Sequence, residues 1–214
     1  MFFAVSDLDQ ARSYKLMSSC IVPRPIAWVV TKNRDEGLNA APYSLFNFFG
    51  GHPPVVCIGM GRPDGKDKDS LENIRNRKEF VVNMVPEGLA EAMNMTATPY
   101  DYGIRELDIA GLSTLPCQFI DCRRILASPV ALECKLAQIV DIRPSSAMVM
   151  ATVVGIHVDA AAVVNEERCY VDAARLGLIG RMESPGWYAR THERFRMTQV
   201  MKKPVPDDAE AGGA

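Results

Sequence analysis

The strongest constraint in the sequence is a pair of long extended segments joined by a very short connection. The first, Val130–Ile142, alternates apolar and charged side chains in its first half, as a strand with one buried face does. The second, Ala147–Asp159, is almost entirely apolar, which is typical of a more deeply buried strand. Because only Arg143–Ser146 joins them, the two strands are predicted to pair antiparallel, since a parallel pair needs a long crossover connection.

A second hairpin is predicted earlier in the chain. Ile26–Thr31 is rich in β-branched and aromatic residues, which favour a strand. Residues 33–37, with the sequence Asn-Arg-Asp-Glu-Gly, supply turn chemistry, and Gly37 is expected to take a positive φ angle. The second strand of this hairpin is expected to run through 38–48.

Shorter elements are predicted around these hairpins. The helical spacing of apolar residues predicts a leading helix over Ser6–Ser19, with Ser6 or Asp7 as its cap. A second helix is expected to begin near Asp69, because Asp69 and Glu72 have the spacing of a capping box. The other predicted elements are strands at Val55–Met60 and Glu79–Val85 and a helix at Pro86–Thr96.

The order of these elements predicts the fold class. Strands that pair with near neighbours, with helices inserted between them, favour a closed or nearly closed antiparallel β-barrel with peripheral helices over a doubly wound parallel sheet. The class is therefore mainly β with helices (α+β). Thr98–Leu126 has no sustained periodicity and is expected to cross the surface with a helical turn or two. Residues 1–200 are interpreted as one domain, and residues 201–214 as a disordered tail.

Composition argues against several classes of partner. A formal charge of −2 and a pI near 6.0 give no electrostatic footprint for nucleic acid or an anionic membrane surface. No apolar run approaches the ~20 residues that a membrane-spanning helix requires, and the N-terminus lacks the pattern of a secretory signal. The six cysteines are scattered without a C-x-x-C pair, so no metal site is predicted and a reducing cytoplasmic location is expected.

A candidate anion site lies where a polar loop becomes the second helix. Lys66, Lys68 and Ser70 would join cationic side chains and a hydroxyl to the free N–H groups of a helix N-terminus. Asp67 and Asp69 would oppose an anion unless they cap the helix or pair with the lysines. The alternative interpretation is a solvated, charged loop. No Walker A or G-x-G-x-x-G nucleotide motif is present.

A candidate surface for a flat ligand lies in the second strand of the early hairpin. Tyr43, Ser44, Phe46 and Asn47 combine aromatic faces with groups that donate and accept hydrogen bonds. A tricyclic ring needs both. The alternative interpretation is an ordinary half-buried barrel strand.

Residues for nucleophilic catalysis are not found, so the catalytic residues stay unknown. The sequence contains no G-x-S-x-G motif, and His52, His157 and His192 have no nearby partners that would build a triad. If the protein is an enzyme, a bound cofactor is therefore expected to carry the chemistry.

Several segments, taken together, point to one family. Arg24–Val29 reads Arg-Pro-Ile-Ala-Trp-Val, and Asn39–Asn47 reads Asn-Ala-Ala-Pro-Tyr-Ser-Leu-Phe-Asn. Pro53-Pro54 precedes a buried strand, and Lys68-Asp69-Ser70 begins a helix that also holds Asn73. Further matching segments are Glu79–Asn83, Ser128–Cys134 and Gly186–Arg190. In their order and spacing these segments resemble the flavin reductase-like family of FMN-binding split-barrel proteins.

The resemblance implies a homodimer of antiparallel split barrels that binds FMN near the subunit interface. The isoalloxazine ring would lie along 41–47, and the phosphate would be held by Lys68 and Ser70 with help from Arg24. The cofactor-binding residues that it implies are Arg24, Ala41, Pro42, Tyr43, Ser44, Phe46, Asn47, Lys68, Asp69, Ser70, Asn73, Arg181 and Tyr188.

The resemblance also implies a reaction, in which NADH or NADPH gives a hydride to flavin N5 and a small-molecule acceptor takes up the electrons. Two alternatives stay open. The chain could be an FMN-binding electron carrier that a partner protein reduces. It could also be a split barrel that binds another ligand, such as haem, or that serves only as a dimeric scaffold.

Overall fold

The computed structural model describes residues 1–98, 100 and 104–198. The disordered tail predicted at 201–214 lies outside these residues. The helices are α1 (Gln10–Cys20), α2 (Asp69–Arg77), α3 (Ala90–Met95) and α4 (Glu106–Ile109). The strands are β1 (Ala27–Lys32), β2 (Leu38–Tyr43), β3 (Phe46–Gly51), β4 (Pro54–Gly61), β5 (Glu79–Asn83), β6 (Thr114–Pro116), β7 (Arg123–Ile125), β8 (Val130–Arg143), β9 (Ser146–Val158), β10 (Val163–Asn165), β11 (Tyr170–Val171), β12 (Ile179–Arg181) and β13 (Tyr188–Arg190).

The centre of the fold is a seven-stranded antiparallel sheet in the order β2-β1-β5-β8-β9-β4-β3. Its two edge strands, β2 and β3, follow each other in the chain and are separated only by Ser44 and Leu45. The sheet therefore has to curl until its edges meet, which produces a nearly closed barrel. The predicted antiparallel barrel and the long β8–β9 hairpin are confirmed.

Two hydrophobic clusters lie on opposite faces of the sheet, and β1 contributes to both. Ala27 and Val29 point into the barrel interior, where Leu71 and Ile74 of α2 also pack. Trp28 belongs to the outer cluster, which α3, α4 and the β6–β7 hairpin cover. This burial on both faces explains why the sequence of β1 is almost entirely apolar.

The early hairpin is confirmed with two corrections. Strands β1 and β2 pair from Ala27↔Tyr43 to Lys32↔Leu38, but Glu36 rather than Gly37 takes the positive φ angle, at 68°. The second strand does not run unbroken through 38–48. It bends at Ser44–Leu45, because the chain crosses there from one edge of the sheet to the other.

Both predicted helix caps are wrong in detail. Helix α1 begins at Gln10, and the Asp9 side chain accepts a hydrogen bond from the backbone N–H of Arg12 at 2.7 Å, so neither Ser6 nor Asp7 caps it. Helix α2 has Lys68 as its N-cap residue, without a side-chain cap bond. Asp69 is already the first helical residue, and this removes the expected capping box.

The irregular segment before β8 contains the expected helical turn, α4, and a short β6–β7 hairpin that the sequence did not predict. The loop inside this hairpin is fastened to the barrel by Glu133 of β8. Its carboxylate accepts hydrogen bonds from the backbone N–H groups of Gln118, at 2.8 Å, and Phe119, at 2.7 Å. His157 Nε2 lies 2.6 Å from the same carboxylate.

In the described part of the chain, no helix combines the length and apolar character that crossing a membrane would require.

Candidate functional site

A cleft of about 980 Å³ opens at the place where the barrel closes. Helix α1, the β8–β9 turn and the end of β4 line it. The bend between β2 and β3, with Pro42, Tyr43, Ser44 and Leu45, also lines it, as does the exposed residue Lys68. Tyr43 and Ser44 of the predicted flat surface and Lys68 of the predicted cationic loop therefore line the same cavity, whereas Phe46, Asn47, Lys66 and Ser70 do not.

The bend is held in place by β4. The backbone N–H of Gly59 donates a hydrogen bond to the carbonyl of Leu45 at 2.6 Å. This approach is so close that a Cβ atom on Gly59 would lie 2.9 Å from the Leu45 Cβ. A glycine is needed here, because no other residue lets the bend come so near to β4.

Lys68 stands at the N-terminus of α2. Its carbonyl accepts hydrogen bonds from Leu71 N–H at 2.9 Å and Glu72 N–H at 3.0 Å, while its exposed side chain lines the cleft. The N–H groups of Leu71 and Glu72 are thus already bonded, so the helix N–H groups that could favour an anion are those of Asp69 and Ser70. Asp69 follows directly, and burial raises the pKa of its carboxyl group.

The second acid of this loop, Asp67, does not pair with a lysine. It forms ion pairs with Arg62 and Arg75, both at 2.6 Å, and Arg75 also pairs with Asp141 at 2.7 Å. This network joins the loop before α2 to the end of β8. Because Arg62 and Arg75 neutralise Asp67 and Asp141, neither acid pairs with Lys68, and the ammonium group of Lys68 can bind an anion in the cleft.

Arg24 lines the cleft, but its guanidinium is engaged with the backbone. Nη1 donates to the carbonyls of Ser18 and Ile21, and Nη2 donates to the carbonyl of Met182 at 2.7 Å. The Arg24 residue is 6% exposed, and its Nε is buried without a hydrogen-bond partner. Arg24 therefore fastens the end of α1 to the segment after β12.

Ser70 is turned away from the cleft into a buried polar cluster. Its hydroxyl lies 2.8 Å from the side-chain amide of Asn39, which in its better orientation also donates to Glu106 at 3.1 Å. Burial raises the pKa of the Glu106 carboxyl. Burial also raises the pKa of the adjacent Tyr43 hydroxyl to about 12. Tyr43 is therefore neutral at physiological pH.

Several residues implied by the family resemblance lie outside the walls of this cleft. Asn73 is buried and donates to Thr31 Oγ1 at 3.0 Å and Asn33 Oδ1 at 2.7 Å, so it supports the β1–β2 turn. Arg181 stacks on the ring of Tyr188 at 4.7 Å in the β12–β13 hairpin. The others are Ala41 in β2, Phe46 against the barrel core, Asn47 on the exposed side of β3, Asp69 and Ser70.

The cleft also contains residues that the sequence did not single out. Arg143 ends β8, Ser145 lies in the β8–β9 turn, and Tyr14 and Met17 come from α1. The segment 143–146 was interpreted only as a connection, and the helix only as an amphipathic lead element. The signal that could have pointed to Arg143 is a cationic residue at the tip of the longest hairpin, but its position in the same cleft as Lys68 depends on the tertiary fold.

Potential metal-ligating side chains are not clustered in the described part of the chain. The described residues contain no group of three or more histidine, cysteine, aspartate or glutamate side chains that could hold a metal ion. The six cysteines are free thiols, and burial raises the pKa of both Cys117 and Cys122 to about 12. These two thiols are therefore protonated and poor metal ligands at neutral pH.

The family model of the flavin reductase like domain matches residues 17–174. A protein of Deinococcus radiodurans, described as uncharacterised, is 38% identical over 203 residues, which are 92% of this chain and 89% of that protein. Both matches include the β2–β3 bend and Lys68.

Two solved structures are similar in sequence as well as in fold. The 2-nitrobenzoate 2-nitroreductase of Pseudomonas fluorescens is 34% identical with a TM-score of 0.86, and the alignment covers 96% of this chain and 100% of that one. Component B of the nitrilotriacetate monooxygenase of Bacillus cereus is 27% identical with a TM-score of 0.87, covering 92% and 98%. The fold, the site and these matches together show that the chain belongs to the flavin reductase-like domain family.

Proposed function

We propose that the protein is an FMN-dependent oxidoreductase that takes a hydride from NADH or NADPH. The observation that carries this proposal is the cleft itself, in which the aromatic and polar β2–β3 bend meets a lysine at a helix N-terminus. A flavin mononucleotide has the matching shape, with a flat ring at one end and a phosphate at the other.

The residues of the cleft fit both ends of this molecule. Pro42, the Tyr43 ring and Leu45 offer apolar surface, and Ser44 and backbone groups of the bend can bond to the polar edge of a ring. Lys68 and the first N–H groups of α2 fit a phosphate.

When bound, FMN would supply the redox chemistry, since it can accept a hydride and pass electrons onward. The contribution of this chain is to hold and shield the ring. The Gly59–Leu45 contact fixes the bend that would hold the ring, and Arg24 fastens the end of α1, which also lines the cleft. A fixed wall orients a second substrate and excludes water from the reacting face.

The two similar structures are named for a 2-nitrobenzoate nitroreductase and a component of a nitrilotriacetate monooxygenase, and both names denote oxidoreductases that act on small molecules. They support a small molecule as the electron acceptor of this chain. The alternative role is that of an electron carrier. A carrier would receive its electrons from another protein, whereas the proposed enzyme receives them from NADH or NADPH.

The visible spectrum of the purified protein tests the proposal. Flavin absorption bands are expected, either as purified or after addition of FMN and gel filtration. Anaerobic mixing with NADH or NADPH should then bleach these bands. Bands that persist with both nucleotides would favour the carrier role, and a protein that retains no flavin would contradict the proposal.

We also propose that two copies of the chain form a homodimer through strand β3. This strand is an edge of the sheet, and it exposes Phe48 (71%) and Phe49 (54%). An open edge with exposed aromatic side chains is a surface that proteins usually cover. Because β3 begins next to the bend, such a contact would place the partner subunit close to the cleft.

Light scattering during gel filtration tests the dimer. The parent protein is expected to have the mass of two chains, and Phe48→Lys is expected to shift the equilibrium towards one chain. Phe195→Lys is the matched control, because Phe195 is 86% exposed but lies far along the chain in a segment without helix or strand. A monomeric parent would contradict the dimer.

A further inference from the structure

Two cations of the cleft make no ion pair with any described residue. Lys68 is the N-cap residue of α2, and Arg143 is the last residue of β8. Arg24, the third cation, is occupied by backbone carbonyls. The acid in the lining is Asp9, whose carboxylate already caps α1 through Arg12 N–H at 2.7 Å. The cleft therefore carries positive charge at two places, although the whole chain is slightly negative.

The fold holds these two cations in a fixed relation. The ion-pair network described above joins Asp67, the neighbour of Lys68, to Asp141, which lies two residues before Arg143. The backbone adds a second link, because Arg62 N–H donates to the carbonyl of Ser145 at 2.8 Å.

Helix α1 presents two large, exposed apolar side chains to the cleft, beside Gln10, Ser13 and Ser18. Tyr14 (51% exposed) and Met17 (55% exposed) both line the cleft, and neither belongs to the buried clusters. An aromatic ring and a thioether are surfaces on which a flat aromatic molecule packs well. The cleft volume of about 980 Å³ lies at the upper end of the ~300–1,000 Å³ that is typical of ligand sites.

We propose that Arg143 binds the anionic group of a second, flat aromatic substrate, which lies between the flavin and the Tyr14–Met17 wall. The inference rests on the proposed flavin site and adds to it the substrate class, an aromatic anion. Two sources share this chemistry, an aromatic carboxylate and a phosphate of the nicotinamide nucleotide. A guanidinium binds either one through paired hydrogen bonds.

The test uses binding to the FMN-loaded protein, followed through the perturbation of the flavin absorption bands. Benzoate and benzamide are titrated into the parent, Arg143→Gln and Arg12→Gln. Arg12 is the control arginine, since it lies on α1 but does not line the cleft. NAD⁺ and NADP⁺ are titrated in the same way.

With an aromatic carboxylate as the ligand, benzoate binds the parent about tenfold or more tightly than benzamide does, and Arg143→Gln alone removes this preference. With the nucleotide as the source, the affinity for NAD⁺ or NADP⁺ falls about tenfold in Arg143→Gln instead. The inference is overturned if all four ligands bind Arg143→Gln as they bind the parent.

A separate FMN titration distinguishes this inference from the proposed function. If the parent binds no FMN, the proposed function fails, and the inference fails with it. If Arg143→Gln binds FMN more weakly than the parent, Arg143 belongs to the flavin site and the second-substrate role is overturned. Equal FMN affinity and equal melting temperatures of the parent and Arg143→Gln ensure that a change with the other ligands reports on Arg143 itself.

Discussion

The close contact between β4 and the β2–β3 bend gives the sharpest prediction, because it joins the closing of the barrel to the shape of the cleft. A Cβ atom on Gly59 would lie 2.9 Å from the Leu45 Cβ and 3.3 Å from its Cδ1. Since a Cβ atom is fixed to the backbone, Leu45 cannot escape by changing its rotamer. Gly59→Ala therefore has to move the bend or β4.

The magnitude follows from two opposing effects. Forcing an extra methyl group into a packed position costs about 1–3 kcal/mol. Replacing glycine with alanine at a permitted φ angle returns about 0.4–1 kcal/mol, because the unfolded chain becomes less flexible. We expect a net loss of roughly 1–2 kcal/mol, which for a chain of this size lowers the melting temperature by roughly 2–8 °C.

Gly61→Ala is the matched control. Gly61 lies on the same strand, two residues further on, and also lines the cleft, but a Cβ there meets no atom within 4 Å. Thermal unfolding followed by circular dichroism should show a lower melting temperature for Gly59→Ala, and an unchanged or slightly higher one for Gly61→Ala. If the two variants melt together, the close approach of Leu45 to Gly59 does not limit the packing.

Two further predictions concern buried carboxyl groups. Glu133→Gln should lower the free energy of unfolding by about 1–3 kcal/mol. The two Glu133 oxygens accept hydrogen bonds from the N–H groups of Gln118 and Phe119, and in glutamine an NH₂ group replaces one of these oxygens and cannot accept. Burial alone would raise the pKa of Glu133, but hydrogen bonds from Gln118, His157 and Phe119 lower it overall. The stabilisation by the charged carboxylate is therefore present above the ordinary pKa of glutamate, and it is lost as the pH falls through the lowered pKa of Glu133. Urea unfolding should therefore show the largest difference at neutral pH, and an equal difference at every pH would contradict the role of the charge. For Glu106 the pH dependence of stability has the opposite sign, because burial raises the pKa of its carboxyl group. The parent protein therefore loses stability as the pH rises through this raised pKa. Glu106→Gln should flatten the dependence of the melting temperature on pH. An unchanged pH profile would refute the Glu106 prediction.

The strands and their local pairing could be predicted from the sequence, because they depend on nearby residues. The period-two pattern of β8, the apolar run of β9 and the short turn between them are enough to define an antiparallel pair. The same holds for β1 and β2. Helix ends were less accurate, because Asp9 and Lys68 took cap positions for which neighbouring residues were also suitable.

The break at Ser44–Leu45 could not be read from local pattern. Whether the chain continues β2 or crosses to β4 depends on the curl of the whole sheet and on the small size of Gly59, which lies far along the chain. The β6–β7 hairpin was missed for a similar reason. Its loop is held by Glu133, which reads in the sequence as an ordinary polar residue of an alternating strand.

The candidate site was predicted in its two main parts, but not in the roles of all its residues. Residue types indicated the bend and Lys68, and both line the cleft. Ser70 and Asn73 are three residues apart and share a face of α2 that does not include Lys68. This face is buried, so their side chains point to Asn39 and Thr31 respectively. The position of Arg143 required the tertiary structure.

The central claim is that the cleft holds a flavin with its phosphate at Lys68, and a comparison of FMN with riboflavin tests it most directly. Riboflavin has the same ring but no phosphate. Lys66→Met is the matched control for Lys68→Met, because Lys66 is an exposed lysine on the same loop that does not line the cleft.

Flavin fluorescence titrations should show that the parent and Lys66→Met bind FMN about tenfold or more tightly than riboflavin. In Lys68→Met this preference should largely disappear, while the affinity for riboflavin stays the same. A parent protein that binds riboflavin as tightly as FMN, or a Lys68→Met variant that keeps the full preference, would contradict the account.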